Sequence, residues 1–226
     1  MTYTIAIGDR TYSSWSLRGW LLFAKFGLAV NIREARLYTD EIGKTLADFG
    51  GARLVPAVTA DDGLVVWDSL AIAETLAERH PNAGHWPADP HLRAIARAMC
   101  AEMHSGFQAL RNACPMNLEH RYTGFMVSDA VRKDLDRIEL IWQMARQKSG
   151  ATGPWLFGEY SAADAFFAPV ATRIATYGLP VGAAAQAYVS AHLADSKFLQ
   201  WRKAGLANFV AQPSYAKDLP TVAWEN

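Results

Sequence analysis

At 226 residues, with 51% apolar and 19% charged side chains, the chain can build one large domain or two modest ones and is not of the disordered class. Lys plus Arg and Asp plus Glu balance at 22 each, so no net field draws it to nucleic acid or an anionic membrane surface. The absence of an 18-residue uncharged apolar run and of a basic, apolar leader predicts a soluble, cytoplasmic protein, and Cys100 and Cys114 lack any metal-ligand spacing.

Residues 3–7 form an apolar run closed by Gly8-Asp9 and predict a strand. Tyr12-Ser13-Ser14-Trp15-Ser16-Leu17-Arg18 then opens a helix with Leu17, Trp20, Leu21 and Ala24 on one side, stopping near Gly27. Three hydroxyls therefore sit where a strand turns into a helix, a place whose unpaired N–H groups and positive dipole end favour an anion. Serine is also a preferred N-cap, and taken alone the cluster reads first as a structural helix start. Residues 30–38 alternate as a second strand, with 40–49 a short helix or irregular link, and the order strand, helix, strand implies a right-handed parallel crossover. Apolar runs at 54–60 and 64–67 flank Asp61-Asp62-Gly63 and predict a β-hairpin. Pro56 is either an ordinary strand-entry proline or a cis one, and a cis bond would leave the Val55 N–H and C=O free to pair with an extended peptide. Asp68-Ser69 caps a helix that runs to His80 and is halted by Pro81; its hydroxyl and first-turn N–H groups suit a carboxylate, and Asp68 suits an ammonium.

Serines at a helix start, a crossover, Val55-Pro56 ahead of a hairpin and Asp68-Ser69 opening a third helix together resemble the glutathione-binding domain of the cytosolic glutathione S-transferases. The run Ser13-Ser14-Trp15-Ser16-Leu17-Arg18 looks most like the serine-type zeta class. The resemblance implies an α/β thioredoxin-like domain over 1–81, a linker at 82–89 and an all-α domain over 90–226, with glutathione as co-substrate, no metal, and a homodimer. It assigns Val55 and Pro56 to the cysteinyl part of glutathione, Asp68 and Ser69 to the γ-glutamyl end, and Ser14, or else Ser13, to the sulfur. Two departures carry consequences. Trp15 stands at the zeta cysteine, which argues against disulfide chemistry, and Leu54 replaces a common lysine, leaving Arg53 or Lys44 for the glycyl carboxylate.

Beyond the linker, Asp89-Pro90 starts a helix whose apolar face, Leu92, Ile95, Met99, Met103, Gly106 and Leu110, predicts one continuous element ending before Pro115. Its other face carries Arg97, Cys100, His104, Phe107 and Arg111, which suits either a solvated or dimer-facing side or a pocket wall. Val131, Leu135, Ile138, Trp142 and Ala145 mark a further helix ending at Gly150, and Ser161-Ala162-Ala163-Asp164 is a capping box with Asp for Glu. Helices follow at 183–194 and 196–209, and the tail with Pro213, Pro220 and Trp224 is expected across the domain junction. By resemblance, the arginine that zeta isomerases use on a diacid falls on Thr176, with Arg173 one turn earlier. Trp15, His104, Phe107, Arg111 and Arg173 are thus candidate pocket residues. The activity implied is attack of glutathione thiolate on a small hydrophobic electrophile, the alternatives being glutathione-dependent cis–trans isomerisation of maleyl-type acids and non-catalytic ligand binding on the same fold.

Overall fold

The computed structural model describes residues 1–224. Strand β1 (Tyr3–Ile7) takes β2 (Val30–Glu34) in parallel on one side and β3 (Ala57–Ala60) antiparallel on the other, and β4 (Val65–Trp67) closes the hairpin at the free edge. Ile5 faces Ile32 and Val58 across the ladder, and Ile5 and Ile7 are fully buried. The crossover is α1 (Ser14–Ala24); α2 (Asp40–Leu46) and α3 (Ser69–Arg79) complete this half. Leu17, Leu21 and Phe23 of α1 join Ile72 and Leu76 of α3 in one core with the sheet.

The second strand ends four residues before its expected limit. Buried Asp9 accepts from the Leu37 N–H at 2.8 Å and from Arg36 Nη1 at 2.7 Å, which draws 36–38 off the ladder, while the Ala35 N–H still donates to Ile7 O at 3.0 Å. Tyr38 then adopts φ 60°, an unusual conformation for a bulky residue, and stands largely exposed.

The second half is helical: α4 (Pro90–Ser105), α5 (Gln108–Ala113), α6 (Asp129–Ser149), α7 (Ala162–Tyr177), α8 (Ala183–Ala194) and α9 (Ser196–Ala207), with β5 (His120–Tyr122) paired to β6 (Thr221–Ala223). At its centre, α7 is buried along almost its whole length and packs on α1, α4 and α8. The capping box at its start is formed as the spacing predicts, Ser161 and Asp164 each satisfying the other's end.

The single long helix expected up to Pro115 is instead two. Gly106 ends α4, its N–H donating to Glu102 O at 2.8 Å, and Phe107 at φ 55° carries the chain into α5. A Cβ on residue 106 would lie 2.7 Å from Glu102 O, so only glycine makes this break. The kink buries Phe107 in the core, away from the cavity described below, while His104 and Arg111 line it. Hydrophobic spacing cannot register a break after which the same face resumes.

The halves are joined by particular contacts: Trp201 Nε1 donates to Arg10 O at 2.9 Å, Lys25 pairs with Asp195, and His85 Nε2 meets Leu22 O at 2.9 Å. Gly19, facing the proline loop, sets another limit. A Cβ there would fall 2.7 Å from both Cβ and Cγ of Pro56, a ring with no freedom to retreat. Alanine's helix propensity favours the substitution by about 1 kcal/mol, whereas overpacking costs about 1–3 kcal/mol. Gly19→Ala is therefore expected to lower the denaturation midpoint, and an unchanged or raised midpoint would refute the close approach.

Candidate active site

At the end of β1 the hydroxyls divide their work. Ser13, the N-cap of α1, accepts from the Ser16 N–H at 3.3 Å and donates to Ser16 Oγ at 2.7 Å, and Ser16 Oγ also accepts from the Gly8 N–H at 2.9 Å. Ser13 is buried with donor and acceptor both engaged. Ser14, the first residue of α1, is half-buried on a cavity of about 740 Å³. Arg173 Nη2, reaching over from α7, donates to Ser14 Oγ at 3.3 Å. A guanidinium can only donate, so the Ser14 proton remains available to the cavity.

The proline loop and the start of α3 lie on the same cavity. The Val55-Pro56 peptide bond is cis, and Val55, Pro56, Asp68 and Ser69 all line the space. Ser69 is buried and accepts from Arg18 Nη1 at 3.5 Å, again keeping its own proton. Arg18 is itself buried, its guanidinium 4.5 Å from the Trp15 ring centre and 4.3 Å from that of Phe166. No carboxylate among the described residues pairs with Arg18, Arg111 or Arg173. Burial lowers the Arg18 guanidinium to about 9 and that of Arg173 to about 10, so both stay cationic at neutral pH.

The far side of the cavity is positively charged. Arg111 stands 5.0 Å from the Trp15 ring centre, and Lys217 enters from the tail; among the described lining residues they and Arg173 face Asp68 as the one carboxylate. Lys44 and Arg53 are exposed and are not among the residues that line the cavity, whereas Leu54, which takes the expected lysine's place, lines it as an apolar group. Thr176 is turned inward, donating to Asn117 O at 2.8 Å.

Sequence reasoning missed the tail's share. Gln212 donates from its backbone to Tyr12 OH at 3.4 Å, Tyr215 OH lies 3.3 Å from Tyr38 OH, and Ser214, Tyr215 and Lys217 line the cavity. Tyr12 and Tyr215 face each other with ring centres 4.9 Å apart. The tail has no periodicity, so only its tyrosine and lysine gave any signal. As expected, it touches both halves.

Solved structures that align with this fold include glutathione transferases and a maleylacetoacetate isomerase. A Burkholderia glutathione transferase homologue with bound glutathione aligns over 92% of this chain and 99% of its own at 24% identity, TM-score 0.68. Trametes versicolor transferase omega 2S aligns over 95% and 99% at 18% identity, TM-score 0.69. A maleylacetoacetate isomerase from Anaeromyxobacter dehalogenans with glutathione in its active site aligns over 97% and 98% at 21% identity, TM-score 0.62. These likenesses establish the fold class, a thioredoxin-like α/β domain followed by a helical one, which is not all-α as expected because it also holds the β5–β6 pair. Residues 12–79 match the family model of the glutathione S-transferase N-terminal domain. A probable maleylacetoacetate isomerase of Caenorhabditis elegans is 31% identical over 145 residues, which span 62% of this chain and 65% of the relative's length.

Among the described residues no three His, Cys, Asp or Glu side chains are grouped to hold a metal ion, and no helix is long and apolar enough to cross a membrane.

Proposed function

We propose that the protein is a glutathione transferase in which residues 1–81 bind glutathione and 90–226 supply the acceptor side. The observation that carries the reading is Ser14, whose free proton faces the cavity while a buried cation holds its oxygen. Glutathione lies extended along Val55 and Pro56 with its γ-glutamyl end at Asp68 and Ser69, and its sulfur at Ser14. A thiol of pKa near 8.5 is about 3% thiolate at pH 7. A charge-assisted hydrogen bond of about 1.5–3 kcal/mol lowers that pKa by one to two units. The thiol proton leaves to solvent, the sulfur lone pair forms the bond to an electrophilic carbon, and a leaving group departs with its electrons or a proton adds to the neighbouring carbon.

The positive far wall favours an acceptor that carries carboxylate, and this observation supports a second reading. In it the thiolate adds to a conjugated double bond, the resulting single bond rotates, and elimination returns the thiolate, so glutathione is not consumed. The names of the Caenorhabditis and Anaeromyxobacter relatives agree with this course. Calorimetry with glutathione, followed by proton NMR of mixtures with a neutral aryl halide or a maleyl-type acid, decides. Conjugate formation from the halide supports the transferase, fumaryl product at constant glutathione supports the isomerase, and absence of glutathione binding overturns both.

The reading extends to a cytoplasmic homodimer. Both cysteines are buried and unpaired, which suits a reducing compartment, and Leu54, Val65 and Trp67 leave apolar surface near the free sheet edge. A monomer mass by light scattering would end the dimer part alone.

A further inference from the structure

Asp68, the residue placed at the glutathione ammonium, already shares its carboxylate. Oδ1 accepts from the Leu70 N–H at 2.8 Å and the Ala71 N–H at 3.5 Å, capping α3, while Oδ2 lies 3.1 Å from His104 Nε2 on α4. Asp68 holds φ 75°, so its carboxylate is presented by a backbone conformation that few L residues adopt. His104 is fixed in turn: its ring meets Trp15 edge-on at 5.1 Å, and its carbonyl accepts from Arg111 Nη1 at 3.3 Å. A carboxylate oxygen requires the proton on Nε2, which leaves Nδ1 bare, and Nδ1 is buried without a partner.

We propose that His104 is a positioning residue that holds Asp68 for the γ-glutamyl ammonium of glutathione, and that protonating its imidazole turns this support into competition. The inference rests on the glutathione site proposed above. As a neutral imidazole, His104 gives Asp68 one hydrogen bond and leaves lone pairs for an ammonium. As an imidazolium it forms an ion pair with Asp68 and places a cation beside the incoming one. The charged groups around it are Asp68 at the start of α3, Arg18 on α1 and Arg111 on α5; α7 directs Arg173 at Ser14, and α6 directs Arg137 at Glu102 on the far side of α4. Burial, Arg18 and Arg111 hold the imidazole below its ordinary 6.5 against the pull of Asp68, so the competition sets in below that pH. A ligand that prefers the neutral imidazole binds less tightly as pH falls through this range.

S-methylglutathione is the probe, because it has no thiol proton to titrate. In calorimetry from pH 8 to 5, its Kd for the wild-type protein should rise several-fold. His104→Gln, which keeps an N–H donor but cannot titrate, should show a flat profile over the same range. The analogue lacking the α-amino group should show a flat profile on the wild type. In the wild type, imidazole NMR should show the His104 pKa falling when the site is saturated, a readout that needs no variant. Equal slopes for wild type and His104→Gln, a slope retained by the desamino analogue, or an unmoved His104 pKa would overturn the inference while leaving glutathione binding intact. No binding at any pH would overturn the glutathione site itself.

Discussion

Ser14→Ala is expected to lower kcat/KM for glutathione by roughly 10- to 150-fold, the equivalent of one charge-assisted hydrogen bond of about 1.5–3 kcal/mol. The thiol pKa of bound glutathione should rise by about one to two units, read by ultraviolet thiolate absorbance against pH. Ser13→Ala should behave differently, because both bonds of Ser13 are spent on Ser16. It removes the α1 cap, costing about 0.5–2 kcal/mol of stability, and leaves the thiol pKa in place. The contrast separates a donor to sulfur from a structural cap. A Ser14→Ala protein with wild-type kcat/KM and thiol pKa would dismiss the mechanism.

The largest effect on stability is expected from Asp164→Ala. Asp164 is fully buried, and its carboxylate accepts four bonds: the Leu156 N–H at 3.1 Å and Tyr188 OH at 2.8 Å on one oxygen, the Ser161 N–H at 2.8 Å and Ser161 OH at 3.0 Å on the other. Truncation strands these donors in the core, where each unsatisfied group costs about 1–3 kcal/mol. Even with partial relaxation the sum reaches about 4 kcal/mol, a large part of the 5–15 kcal/mol that keeps a typical protein folded. For a chain of this size the Tm should fall by about 8–16 °C. Ser161→Ala removes one donor along with the cap and should cost about 0.5–2 kcal/mol. A Tm for Asp164→Ala within a few degrees of wild type would show that the box does not anchor α7.

Local patterns carried much of the architecture. The apolar run into Gly8-Asp9, the Asp-Asp-Gly hairpin, the caps at Asp68, Asp89 and Ser161 and the amphipathic face from Val131 to Ala145 are short-range features, and each produced the element its residues favour. Where a long-range bond intervened, pattern failed. Alternation over 30–38 was cut at Glu34 because Asp9, distant in sequence, captures Arg36 and the Leu37 N–H. Six helical positions from Leu92 to Leu110 agreed in phase although Gly106 and Phe107 break the helix between them. Phe107, placed on the pocket face by that phase, is core.

From its own residues the chain determined the parallel crossover and the hairpin, the helical second half, and serines at a helix start. These depend on spacing along the chain, which sequence displays directly; that Val55-Pro56 and Asp68-Ser69 belong to one site came from the family resemblance. The resemblance preferred Ser14 to Ser13, and only the tertiary structure supplied their different partners: Arg173, 159 residues away, donates to Ser14 Oγ, while Ser13 is engaged with Ser16. The tertiary structure alone brought His104 onto Asp68, removed Lys44 and Arg53 from the cavity, and carried Tyr215 and Lys217 into it. Hydrogen-bond partnership and cavity lining are set by how helices and tail pack in space, and no period in the sequence encodes that packing.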